Sequence, residues 1–193
     1  MPVKQETNKQ KNYFVVLWQE DDQARLKGWW QALQETPGER AQLRRCETPA
    51  DVLVQRGFHR ISRSFPWWNK QDDDVLALAM VAGVLSHVKS EFPLSFPAQL
   101  GQEKDNSGKP VMSELRFQQL LASQNWEELY SSFRRAVHLV GDAANILSIA
   151  DGIFLWGRDK KNLLNENPRK RFSFMWADAY YGELFKYQKE TKS

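Results

Sequence analysis

Between Trp126 and Val140 the apolar residues Trp126, Leu129, Tyr130, Phe133, Val137 and Val140 recur at helical spacing, which predicts a helix with one face to bury. Ser131, Arg135, His138 and Asp142 fall on roughly the opposite face, and Arg134 lies at its flank. This is the middle of three helices expected in succession. Ser113 and Asn125 are placed to cap the first two. Gly141 separates the second from a third expected over 142–156, which Gly157 is expected to end. Pro168 then opens a terminal helix with an apolar stripe of Phe172, Met175, Trp176, Ala179 and Tyr180.

The first half repeats the pattern. Asp21 or Asp22 can cap a helix that carries Leu26, Trp29, Trp30 and Leu33 on one side. Thr36-Pro37-Gly38-Glu39 and Thr48-Pro49-Ala50-Asp51 both read as helix starts, with a hydroxyl for an orphan amide and an acid that can reach back. Phe58, Ile61 and Phe65 continue an apolar side as far as Pro66. The stretch from Val75 to Val88 is apolar nearly all round, so it is expected at the buried centre of this half. From Glu91 to Lys109 the periodicity breaks at Phe92-Pro93, Phe96-Pro97, Gly101 and Asn106-Ser107-Gly108, which reads as a long connection with one short helical turn. No strand pattern emerges. The expectation is all-α: two small helical bundles, 13–110 and 111–193, joined by that connection and preceded by a flexible tail over 1–12.

Composition narrows the function classes. A chain of 193 residues can bury a real core. No apolar run approaches a membrane span and no secretory signal is visible, so the cytoplasm is the expected compartment. The single cysteine, Cys46, excludes an internal disulfide framework and any multi-cysteine metal site. The formal net charge of +3 is too small to argue for nucleic acid by itself. Its distribution is more informative. Arg40, Arg44, Arg45, Arg56, Arg60, Arg63 and Lys70 stand against three acids, and Arg158, Lys160, Lys161, Arg169, Lys170 and Arg171 against two. Taken alone, each cluster reads first as a solvated face.

Catalytic chemistry finds no support. Asp72, Asp73 and Asp74 precede an apolar helix, where acids satisfy orphan amides and oppose the dipole; that reading is preferred to a metal or general-acid site. His59, His87 and His138 are too dispersed in sequence to suggest a metal centre, and whether the fold brings them together is left open. Gly108-Lys109-Pro110 lacks the upstream glycine and following hydroxyl of a phosphate loop. Cys46 has no local base partner. Of the tryptophans, Trp29, Trp30, Trp126, Trp156 and Trp176 belong to core stripes, while Trp67 and Trp68 are the better candidates for stacking on bases.

Several blocks in fixed order carry a family signature: Trp30-x-x-Leu33, Arg40-Ala41-Gln42-Leu43-Arg44-Arg45, LALAMVAGVL, SELRFQQLLAS, EELYSSFRRAV, ANILSIADGIFLW and the closing MWADAYY. Together they resemble CasB, the small subunit of the type I-E CRISPR surveillance complex Cascade. The resemblance covers most of 28–181 and implies an all-α, non-catalytic subunit without cofactor or metal. Its implied partners are the backbone and large subunits of the complex, a second copy of itself, the crRNA, the target DNA and the displaced non-target strand. Cleavage is implied to belong to a separately recruited helicase-nuclease. By motif, Arg44 and Arg45 match the family's basic pair, Arg116 the arginine of SE-x-RF, Arg134 and Arg135 the RRAV pair, and Arg158, Lys160 and Lys161 the basic stretch after Trp-Gly. Arg40, Arg60, Arg169 and Arg171 complete the candidate nucleic-acid-binding set from the two basic clusters. The alternative is a helical scaffold that contacts protein subunits only, its basic residues paired with acidic neighbours.

Overall fold

The chain is described by a computed structural model covering residues 14–65, 72–161, 163 and 165–190; Trp67 and Trp68 lie outside the described residues. The architecture is all-α. Among the described residues there are ten α-helices: α1 Glu20–Gln34, α2 Pro37–Arg45, α3 Pro49–Leu53, α4 Arg56–Ser64, α5 Asp72–Leu85, α6 Phe96–Gly101, α7 Glu114–Leu121, α8 Trp126–Leu139, α9 Ile146–Lys160 and α10 Phe172–Glu190. Extended pairing among them is limited to two isolated bridges, Ser90 with Ala143 and Glu103 with Pro110. No helix of the described residues is long and apolar enough to cross a membrane.

The centre is α5. Every residue from Ala77 to Leu85 is buried, as an all-round apolar helix requires. It packs on α3 and α4 from its own half and on α8 and α9 from beyond the connection. The halves on either side of the connection therefore share one cluster of buried apolar side chains, from Leu26, Trp29 and Leu33 to Phe133, Trp176 and Tyr180. Each large side chain so buried contributes roughly 1.5–3 kcal/mol.

The connection is itself a structural element. All six residues of α6 are buried, and α6 lies against α10. The returning chain is pinned by Met112 N–H to the Leu100 carbonyl (2.9 Å) and by the Tyr180 hydroxyl, which donates to the Met112 carbonyl (2.6 Å). The rings of Phe117 and Tyr180 stack with centroids 3.9 Å apart. Asp151 of α9 is buried, lines a cavity with residues of α6 and α10, and holds the extended segment ahead of α1. Its Oδ2 accepts from Val15 N–H (3.1 Å), and its Oδ1 from Val16 (2.7 Å) and Leu17 (2.8 Å). Burial raises the carboxyl's pKa despite the opposing pull of those three amides.

Local signals differ in how they are realised. Thr48 and Asp51 form the expected capping box, and Asn125 caps α8 through Glu128 N–H (2.9 Å). Thr36 does not cap α2. Its hydroxyl donates to the Ala32 carbonyl (3.0 Å), finishing α1 instead. Gln19 occupies the N-cap of α1, which leaves Asp21 and Asp22 in the first turn, where their charge faces the positive end of the dipole. The helix expected from 142 starts at Ile146, because Gly141 and Asp142 both adopt left-handed conformations and Asn145 takes the cap, accepting from Ser148 N–H (2.9 Å). That helix also runs through Gly157 to Lys160. Gly157 serves close packing rather than termination: a Cβ there would lie 2.9 Å from the Trp126 ring. Pro168 opens a 3-10 turn over Pro168–Lys170, after which α10 begins at Phe172.

Candidate nucleic-acid interface

Helix termini leave backbone carbonyls without partners and carry partial negative charge. Two of the candidate arginines serve those needs. Arg134, on α8, sends Nη1 to the Cys46 carbonyl (2.9 Å) and Nη2 to the Arg44 carbonyl (3.4 Å), at the end of α2. Its guanidinium sits 5.2 Å from the centroid of the Tyr130 ring, whose hydroxyl donates to the same Cys46 carbonyl (3.3 Å). Arg40 does the same for α5, with Nε on the Ser86 carbonyl (2.8 Å) and Nη2 on the Val88 carbonyl (3.0 Å). Burial first, and the neighbouring charge of Arg44 second, lower the pKa of Arg40.

The consequence is a juxtaposition that spacing alone does not show. Arg134 ties the end of α2 to α8, so Arg44 and Arg45 stand beside α8 with exposed side chains that make no hydrogen bond or ion pair among the described residues. Behind them lies His87. It is buried, and neither ring nitrogen has a hydrogen-bond partner. Its ring meets that of His138 edge-on at 5.0 Å. Desolvation, reinforced by Arg134, His138 and Arg44, pushes the His87 pKa down to about 4. The fold thus brings together two of the three histidines, and Asp142 joins them. Its Oδ1 lies 2.7 Å from His138 Nδ1 and its Oδ2 2.8 Å from Lys89 Nζ. Burial raises the Asp142 carboxyl, but the hydrogen bonds from Lys89 and His138 bring it below the ordinary value. Among the described residues no three ligand-type side chains converge to hold a metal ion.

A histidine kept neutral in the fold makes stability pH-dependent. Between pH 6.5 and about 4 the unfolded chain binds a proton that the folded chain refuses, so this contribution is lost as pH falls. We expect the parent protein to lose about 1–2 kcal/mol more than His87→Leu between pH 7 and pH 5, measured by urea unfolding. Parallel pH profiles for the two would refute the assignment.

The remaining candidates divide by what they touch. Arg60 pairs with Glu39 (2.8 Å), as does Arg56 (3.1 Å). Lys161 pairs with Asp74 (2.9 Å), and Asp73 accepts from Trp126 Nε1 (3.4 Å), so acids at the start of α5 serve the fold. Arg171 Nε donates to the Asn165 carbonyl (3.2 Å). Lys160 leans over the Trp156 ring at 5.5 Å. Arg158 is exposed and lines a cavity with Trp18 and Arg25. Arg169 is exposed on the 3-10 turn. Arg135 is exposed and anchored on Ser131, through Nε to its carbonyl (3.3 Å) and Nη2 to its hydroxyl (2.6 Å). It shares a cavity with Arg116, itself exposed on α7. Adjacent in sequence, Arg134 and Arg135 point to different neighbours because helix positions turn by roughly 100° per residue. Cys46 is buried and burial raises its thiol pKa, the reverse of what an activated nucleophile needs.

No curated protein and no solved structure gives a match to this chain. A family model does: that of the CRISPR-associated protein Cse2, over residues 39–181. The matched stretch takes in every arginine-bearing helix end described above and most of the chain. The chain therefore belongs to the Cse2 family, the CasB-type small subunits of type I-E Cascade.

Proposed function

We propose that this Cascade subunit is a non-catalytic clamp on nucleic-acid backbone. It would hold the displaced non-target DNA strand close to the crRNA–target heteroduplex and so stabilise the R-loop in antiviral defence, within the cytoplasm. The observation that carries the reading is the pair Arg44 and Arg45, exposed and without side-chain partners among the described residues, on a helix end that Arg134 fixes in place. In an RNA-guided complex base pairing reads the sequence, and strand exchange is nearly balanced, so a few backbone contacts tip it. Such contacts need cations without base-reading geometry, and arginine's planar fork can bridge two phosphate oxygens. Weak binding by one subunit is sufficient once the complex keeps the strand close.

The test is the double variant Arg44→Ser/Arg45→Ser in assembled Cascade. Arg134 is left intact, because removing it would take one donor from the Cys46 carbonyl and the guanidinium from the Arg44 carbonyl at the end of α2. We expect assembly to persist, R-loop lifetime to shorten, and the log–log salt dependence to flatten by roughly 0.7–0.9 for each phosphate no longer neutralised. An unchanged lifetime and salt slope would remove these residues from the role.

A second reading, a scaffold that touches protein only, draws on α10. There Phe174 and Phe185 are 45% and 52% exposed along one side with Tyr181 between them. Aromatic anchors of this kind suit contacts to the other Cascade subunits or to a second copy of the chain. DNA crosslinks to this chain in the complex would count against the scaffold-only reading.

A further inference from the structure

The segment between α6 and α7 is a tight hairpin. Lys104 N–H donates to the Lys109 carbonyl (2.8 Å), Ser107 N–H to the Lys104 carbonyl (2.9 Å), and Gly108 N–H to Glu103 Oε1 (2.7 Å). Asp105, Asn106 and Gly108 take left-handed conformations, with φ of 50°, 53° and 70°. This turn sets Lys104 and Lys109 across from one another at its base. Both are exposed, and neither side chain makes a hydrogen bond or ion pair among the described residues.

Beside the hairpin a cavity of about 710 Å³ extends to Arg116 and Leu139. A second, of about 330 Å³, continues from Arg116 and Leu139 to Ser132 and Arg135. Because both are walled by the same two residues, they form one groove across α7 and α8. Ser132, Arg135 and Leu139 lie on one side of α8; Tyr130 and Arg134, which face α2, lie on the other. Arg135 commits two of its N–H groups to Ser131, which orients it and leaves the others of its fork open. Four cations line the groove against two acids, Asp105 and Glu114.

We infer that this groove, from Lys104 and Lys109 through Arg116 to Arg135, is a second track for phosphodiester backbone, separate from the one at Arg44 and Arg45; it rests on the nucleic-acid reading above. The floor is aliphatic and the lining contains no aromatic ring. A protein interface would be expected to find tryptophan or tyrosine anchors there, and a base-stacking site would need a ring. Cations spaced along an open groove, without either, suit phosphates alone.

The experiment compares Lys104→Ser/Lys109→Ser with Arg44→Ser/Arg45→Ser, and combines them, in assembled Cascade. The lysine variant is expected to fold as the parent does, to shorten R-loop lifetime by roughly tenfold at physiological salt, and to flatten the log–log salt slope by about 1.4–1.8. The combined variant should lose the product of the two factors, as distant sites do. Lys104→Arg/Lys109→Arg should restore the parent slope. A photoreactive residue at position 107 should crosslink to a nucleic-acid strand. If the lysine variant is silent while the arginine variant is not, the second track is wrong and the proposed function survives. If both are silent, both fall. A crosslink from position 107 to a protein subunit alone would also overturn the track.

Discussion

Asp151→Ala is expected to lower the unfolding free energy by about 3–5 kcal/mol, the largest single loss we anticipate outside the apolar core. The carboxylate accepts three backbone N–H groups, at 3.1, 2.7 and 2.8 Å, from consecutive residues Val15 to Leu17. Removing it leaves those donors facing a buried gap, and each unsatisfied donor costs roughly 1–3 kcal/mol before water or relaxation recovers part of it. For a chain of this length the loss corresponds to a drop in Tm of roughly 10 °C. Asp151→Asn should cost less. Its carbonyl oxygen can still serve Val16 and Leu17, which share Oδ1, and only Val15 is left opposite an amide that cannot accept. Thermal unfolding followed by circular dichroism decides the matter. A melting temperature within about 2 °C of the parent for Asp151→Ala would mean that the segment ahead of α1 is not held by this group.

Gly101→Ala is the second. A Cβ at this position would sit 2.2 Å from the Tyr180 carbonyl oxygen, 3.0 Å from its carbon and 3.2 Å from its Cα. All three atoms are backbone of α10, so no rotamer change relieves the clash, and α6 must move off α10 as a body. Overpacking usually costs roughly 1–3 kcal/mol; here we expect about 3 kcal/mol or more. Displacing α10 would also loosen the stack of Phe117 on Tyr180, which near-ultraviolet circular dichroism can register. Gly28→Ala is the internal control. It lies within α1 with nothing within 4 Å of a built Cβ, so alanine there should stabilise by about 0.5–1 kcal/mol. Equal melting temperatures for the two variants would contradict the backbone-contact account.

Features that depend on residues near in sequence are legible without the structure. The apolar stripe of α8 is one: Trp126, Leu129, Tyr130, Phe133 and Val137 are all buried, because helical periodicity is a local property that packing then uses. The Thr48–Asp51 capping box is another, set by a spacing of three residues. Features that depend on distant partners are not. Thr36 has the same local context as Thr48, yet its hydroxyl bonds back to Ala32, so the two starts diverge. Nothing near Arg134 announces that its partners are the carbonyls of Arg44 and Cys46, 90 and 88 positions away. Equally, the pairing of Lys161 with Asp74 converts one member of a basic run into a fold contact. Of the arginines read from motifs, Arg44, Arg45 and Arg116 remain available for an external partner, whereas Arg134 braces a helix end, as does Arg40 from the basic cluster. Lys104 and Lys109 carry no motif and sit in what reads as an irregular connection; Asn106-Ser107-Gly108 is the turn signal that marks the hairpin between them.

The helix at the centre also constrains the order in which the molecule can be made. The buried stretch of α5 has no side suited to water, and two of its covers, α8 and α9, are synthesised well after it. At ordinary elongation rates roughly several seconds separate Leu85 from Lys160 on the ribosome. During that interval α5 can draw cover from helices of its own half, α2, α3 and α4 among them, but not from α8 and α9. The burial of α5 is therefore complete only once the second half of the chain has been made.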